Sequence, residues 1–201
     1  MNWQDKNTKV YNDSAIELSE YFSGIGSRVE DIERGLNLAG KRDGARVIEL
    51  GCGDGRDAVE IIKRVSQYIG IDPSNGLLNI AKSKNPNGIF MLTDAVGYKY
   101  PKKLDVIFAF ASLLHINQGD ICEVLEKAKS ALRLGGIFYI SLKERPSYIE
   151  EIKEDQFGER MFFYYNSDII KQSAGSSFET VYEDHHKIGH TDWFTIALKK
   201  K

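Results

Sequence analysis

The chain has 201 residues, 42% of them apolar and 28% charged, with a formal net charge of −2. That balance predicts a single folded domain, 1–201, and gives no overall pull towards nucleic acid or an acidic membrane. No apolar run approaches the roughly 20 residues that cross a bilayer, and the first residues lack a basic cluster ahead of an apolar core, so no secretory signal is visible and a cytoplasmic location is expected. Cys52 and Cys122 lie far apart and outside any metal-ligand spacing, so they read as free thiols rather than a disulfide framework or zinc site.

Tyr11, Ala15, Leu18 and Phe22 recur at helical spacing, with Asn12, Asp13 and Ser14 as capping side chains, and predict an amphipathic helix over 11–22. Val29, Ile32, Leu36 and Ala39 predict a second helix that Gly40 can end. Residues 46–50 read as a strand that runs into Gly51-Cys52-Gly53-Asp54-Gly55, three glycines at alternate positions, and then into a helix whose buried stripe is Ala58, Ile61, Ile62 and Val65. Glycine at such a turn permits positive φ and close approach of a ligand, while the free N–H groups at the helix start favour an anionic or electron-rich group. The stretch therefore predicts a binding loop for a small charged ligand.

Residues 68–72, 89–94 and 104–110 are short, nearly unbroken apolar runs, the first two closed by Asp72 and Asp94, and Pro73-Ser74 opens a helix through Leu77, Leu78, Ile80 and Ala81. Unbroken runs predict strands buried on both faces of a parallel sheet. A helix over 120–134 stopped by Gly135-Gly136 follows, then a strand over 137–142 and an irregular excursion over the sheet edge at 143–165. A helix ending near Ala174-Gly175 and two strands, 178–183 and 193–198, around Gly189-His190-Thr191 complete the chain. The alternation predicts a doubly wound α/β sheet, mostly parallel with a C-terminal antiparallel β-hairpin, and in such sheets ligands bind outside the carboxyl ends of the strands, at the switch point.

Glu49, Asp72 and Asp94 end three successive strands, so a sheet wound this way turns all three carboxylates to one crevice. That spacing, with Glu49-Leu50-Gly51-Cys52-Gly53-Asp54-Gly55, resembles the class I S-adenosylmethionine-dependent methyltransferases over about residues 11–198. The resemblance implies a Rossmann-like seven-stranded sheet with a helical cap at 1–45, a cofactor-binding core at 46–142, and an excursion, helix and terminal hairpin at 143–201. It also implies that Gly51, Gly53 and Gly55 pass beneath the methionine part of S-adenosylmethionine, with Cys52 as a small filler in the loop and Glu49 as the acid ahead of it. Asp72, followed by Pro73, matches the carboxylate that accepts from both ribose hydroxyls, Asp94 and Ala95 match the adenine edge, and Phe110 and Ala111 match the residues bordering the sulfonium. Residues 131–138 are similar to the family's turn into the fifth strand, with Leu134 where a proline is usual. The late run 160–165, followed by Ile169, Ile170, Ala174 and Gly175, looks like small-molecule methyltransferases of this class. A dinucleotide-binding domain would read G-x-G-x-x-G where this chain reads G-x-G-x-G, and Asp94 and the terminal hairpin favour the methyltransferase.

Such a cofactor brings its own leaving group, so the protein needs no nucleophile and has only to align the acceptor in a dry site. A general base is needed only when the acceptor holds a proton at working pH. His115, after the fourth strand at the mouth of the crevice, is the candidate base. Tyr11 and Tyr21 come from a helix that closes over the site in similar proteins; simple core packing accounts for both, and Tyr11 is the second candidate catalytic residue. Arg56 and Asp57 reach the ligand or form a charged first helical turn, and the aromatic run 162–165 walls the acceptor or forms a core ridge. His185, His186 and His190 lack the companions of a metal site and read as a solvated hairpin, and residues 98–103 read as a surface loop rather than a single-strand nucleic-acid site. Asn/Asp-Pro-Pro-aromatic is absent after the fourth strand, as is a cysteine there, which leaves a small-molecule methyl acceptor as the leading partner. An RNA or protein methyltransferase and a non-catalytic cofactor-binding module are the alternatives, and oligomeric state carries no signal.

Overall fold

A computed structural model describes residues 2–41 and 43–201; Met1 and Arg42, which fall in the expected 1–45 cap, lie outside the described residues. The chain opens with helices α1 (Trp3–Asp13), α2 (Ala15–Ile25) and α3 (Val29–Leu38), followed by strand β1 (Arg46–Leu50) and the short helix α4 (Ala58–Ile62). Strand β2 (Gln67–Asp72), helix α5 (Asn75–Lys84), and strands β3 (Ile89–Leu92) and β4 (Leu104–Phe110) come next. A 3-10 turn (Leu113–His115), helix α6 (Gln118–Ala131) and strand β5 (Leu132–Lys143) follow. The rest comprises strands β6 (Ile149–Asp155) and β7 (Gly158–Tyr164), helix α7 (Ser167–Ala174), and strands β8 (Phe178–Ile188) and β9 (Thr191–Lys200).

Seven strands form one sheet in the order β3-β2-β1-β4-β5-β9-β8, with β1 to β5 mutually parallel and β9 antiparallel to both its neighbours. The order reverses between β1 and β4, which puts the glycine loop and the turn after β4 at the switch point. Strand residues alternate between two cores. Ile48, Leu50, Ile107 and Ile140 pack with Ile121, Val124 and Leu125 of α6, while Val47, Val106, Phe108 and Tyr139 pack with Ile32 and Leu36 of α3 and Ile61 of α4.

Several expected elements shift. The helix expected over 11–22 is two helices joined at Ser14, because its capping side chains are spent elsewhere: Asn12 Oδ1 accepts from Ser74 Oγ and Gly76 N at 2.9 Å each, and Ser14 Oγ donates to the Phe157 carbonyl at 3.3 Å. The third strand is not buried on both faces, since β3 is the sheet edge and leaves Ile89, Met91 and Leu92 exposed. Helix α6 stops at Ala131 rather than 134, because Leu132 turns extended to pair with Leu104 and a bulge through Gly135 and Gly136 carries the chain into β5. Leu134, in the place of the usual proline, stands exposed in that bulge.

The largest difference lies at 143–165. The expected irregular excursion is an antiparallel hairpin of β6 and β7 with Ile149 opposite Tyr164 and Asp155 opposite Gly158. Its charged strand β6 faces solvent, whereas β7 is buried against α1 and the turn after β4. The hairpin therefore caps the mouth of the sheet instead of its edge.

Candidate active site

A cavity of about 950 Å³ opens at the switch point, within the size range of small-molecule sites. One end is built by the glycine loop. Gly51, Gly53 and Gly55 all have positive φ, at 70°, 54° and 76°. A Cβ on Gly51 would stand 2.3 Å from Ser112 Cβ, whereas Gly53 faces open space. Gly53 N donates to Asp72 Oδ2 at 2.9 Å and Ser74 N to Asp72 Oδ1 at 2.8 Å, so the loop and the α5 start grip the carboxylate at the end of β2. Burial outweighs these two donors and pushes the Asp72 carboxyl up to about 6.

Glu49 is buried and accepts from Tyr68 Oη at 2.6 Å, and burial, with Asp57 nearby, raises its pKa well above the carboxylate range. Cys52 is buried on the cavity wall, its thiol held protonated first by burial and then by Asp72. Pro73, Asp94, Ala95, Phe110 and Ala111 all line the same cavity. Asp94 accepts from Gly97 N at 2.5 Å, and Ala111 is held at φ 54°, a left-handed strain of the kind concentrated at functional sites. Every expected cofactor residue except Gly55 borders the cavity. Gly55 turns instead towards Ala81 and Asn85 of the α5 end.

Across the cavity, Tyr11 Oη lies 2.8 Å from His115 Nε2. His115 Nδ1 lies 2.9 Å from the Met161 carbonyl and 3.1 Å from Asn7 Nδ2, and in the tautomer with its proton on Nδ1 it donates to that carbonyl while Nε2 accepts from Tyr11. Both ring nitrogens are thereby engaged, and burial pushes the imidazole down to about 3. Arg160 Nη1 donates to Tyr11 Oη at 3.1 Å while its Nη2 pairs with Asp155. Tyr21 stands at the mouth, edge-on to Phe157 with ring centroids 6.0 Å apart. His185 and His186 lie exposed on β8 beside Glu144, Glu183 and Asp184, and no group among the described residues could hold a metal ion.

Three residues of this site, Asn7, Arg28 and Asp54, carried no signal of their own in the sequence. Asn7 exchanges two 2.9 Å hydrogen bonds with the Met161 backbone and so locks α1 to β7. Arg28 and Arg56 both pair with buried Asp57 at 3.0 Å. Asp54, read only as part of the loop, is buried and accepts from Ser19 Oγ and Lys84 Nζ, tying α2 and α5 to the glycine turn.

A methyltransferase domain family model matches residues 47–136. The ubiquinone/menaquinone biosynthesis C-methyltransferase of Campylobacter jejuni is 27% identical over 70% of this chain and 64% of its own length. The trans-aconitate 2-methyltransferase of Rhizobium rhizogenes is 26% identical over 52% of this chain and 42% of its own. The chain thus spans less than two thirds of these relatives. Among solved structures, the magnesium protoporphyrin IX methyltransferase of Synechocystis, with bound S-adenosylmethionine, superposes with a TM-score of 0.77 at 12% identity, covering 100% of this chain and 98% of that one, a likeness of fold. No described helix is long and apolar enough to cross a membrane. Domain match, relatives and sheet order agree: residues 47–136 form a methyltransferase domain of the S-adenosylmethionine-dependent kind, whose cofactor is S-adenosylmethionine.

Proposed function

We propose that residues 1–201 act as one unit that moves a methyl group from S-adenosylmethionine to a small molecule bound beside Tyr11. The observation that carries this reading is Asp72, a buried carboxylate at the cavity wall whose burial two backbone donors do not fully offset. Hydroxyl donors such as a ribose pair would relieve it. The open space beside Gly53 fits the methionine part, and Asp94 with Ala95 the adenine. Bound there, S-adenosylmethionine supplies an electrophilic methyl on a sulfonium, and the protein's work is alignment and exclusion of water.

In this reading Tyr11 touches the acceptor. Arg160 donates to its oxygen and neutral His115 takes its proton in a hydrogen bond, so the hydroxyl is fixed in direction. His115 then acts through Tyr11 as a positioning residue, and a base is supplied only if the acceptor brings none of its own. A small-molecule acceptor accords with the reactions for which the ubiquinone/menaquinone and trans-aconitate relatives are named. The unpaired thiols, Cys52 buried and Cys122 exposed, suit a reducing compartment such as the cytoplasm.

Methyl-labelled cofactor incubated with a metabolite extract should label a small molecule. By calorimetry, Asp72→Ala should weaken S-adenosylhomocysteine binding by tenfold or more, as expected for about 1.5–3 kcal/mol of charge-assisted hydrogen bonding. Tyr11→Phe should leave that affinity in place and slow turnover. An unchanged affinity in Asp72→Ala would sink the cofactor assignment.

A further inference from the structure

The two ends of the cavity differ in charge. The cofactor end carries Glu49, Asp72 and Asp94, and its two arginines, Arg28 and Arg56, are committed to Asp57. The opposite end is lined by three cations, Lys143 at the end of β5, Lys153 of β6 and Arg160 of β7, with Phe162 and Trp193 between them, against two acids of β6, Glu154 and Asp155. Arg160 is buried and pairs with Asp155, yet its Nε has no partner. Lys153 pairs with Glu151 at 3.3 Å.

Lys143 makes neither an ion pair nor a hydrogen bond among the described residues, and Asp155, itself paired with Arg160, acts on it only from further off. Its ammonium sits 4.7 Å from the Phe162 ring centroid and 5.9 Å from that of Trp193. Burial and the charges of Lys153 and Arg160 hold its pKa below the usual lysine value. A half-buried cation beside two others, with ring faces as its nearest contacts and Asp155 committed to Arg160, is costly unless an anion arrives. An anion there would also face a cationic methyl donor across the cavity, so its charge is attracted from both sides.

Building on the methyltransferase reading, we propose that this basic end is the acceptor subsite, that it takes an acceptor bearing a carboxylate, and that Lys143 is the counter-charge, with Phe162 and Trp193 against the acceptor's apolar body. A carboxylate suits the place better than a phosphate. Phosphates are commonly gathered by backbone N–H groups at helix starts or nests, and the three cations and two rings named at this end all come from strands.

The test uses the full chain saturated with S-adenosylhomocysteine and titrated, by ligand-observed NMR, with benzoate, cinnamate and hexanoate, each against its primary amide, and with phenyl phosphate. At least one acid should bind about tenfold or more tighter than its amide, the scale of a charged hydrogen bond in a sheltered site. Lys143→Met, which keeps the stem that packs on the rings, should abolish that preference, and Lys143→Arg should retain it, with S-adenosylhomocysteine affinity unchanged in both. Acids no tighter than amides, a preference that survives Lys143→Met, or phenyl phosphate outbinding every acid each overturns the proposal. Failure of S-adenosylhomocysteine to bind the unaltered chain would instead overturn the methyltransferase reading beneath it.

Discussion

Asp72 and His115 sit on facing walls of one cavity and are shifted by the same force, burial, in opposite directions because one is charged when deprotonated and the other when protonated. The Asp72 carboxyl titrates at about 6, so below that pH it gains a proton and loses acceptor capacity. Affinity for S-adenosylhomocysteine is therefore expected to be flat above about pH 6 and to fall by up to about tenfold per unit below it. Calorimetry across that range checks this, and Asp72→Asn should bind weakly with no such slope. An affinity that stays level well below the inflection would remove Asp72 from the ligand. His115 offers the contrasting lesson. A histidine after the fourth strand reads as a base, yet its two nitrogens are taken by Met161 and Tyr11, and what it contributes is the direction of a hydroxyl.

The glycine loop shows how one element divides its residues between packing and the open cavity. Gly51 carries positive φ and backs onto Ser112, whose Oγ in turn donates to the Leu50 carbonyl at 2.5 Å, so the loop and the turn after β4 are packed without room for a methyl. Gly53 has the same need for positive φ but faces open space. Gly51→Ala should therefore cost stability by roughly 3 kcal/mol, from overpacking plus left-handed strain. Gly53→Ala should cost only about 1 kcal/mol of stability, the strain alone, while losing cofactor affinity. Denaturant midpoints and calorimetry separate the two, and equal stability losses would contradict this division. The hairpin of β6 and β7 is the matching element on the other side. Its inner strand brings Arg160 and Phe162 to the cavity and is held there by Asn7 through the Met161 backbone.

At the scale of the whole molecule, titration of these groups becomes stability. His115 is held at about 3 in the fold against 6.5 when free, so the unfolded chain takes the proton first; its contribution is complete above pH 6.5 and is lost as the pH falls towards 3. Asp72 works the other way over its own window, 3.8 to about 6, where the fold binds the proton more tightly and stability falls as the pH rises. Thermal midpoints of the chain and of His115→Gln, followed from neutral to acid pH, should converge as the pH drops, and parallel curves would refute a buried neutral imidazole. The order of the β-α units, the glycine loop and the acids at strand ends were legible in the sequence. They rest on apolar periodicity and turn chemistry, which act over a few residues. Exposure was less so, because β3 has the apolar run of a central strand and only the sheet order makes it an edge. The hairpin hid behind Glu150, Glu151, Lys153, Glu154 and Asp155, charges that belong to its wet strand. The cluster of Tyr11, His115 and Arg160 joins residues 104 and 149 positions apart. The sequence by itself thus determined the sheet, the loop and the cofactor. Only tertiary structure decided which side chains meet across the cavity, because burial and charge at that end are set by segments that become neighbours when the chain closes over the sheet.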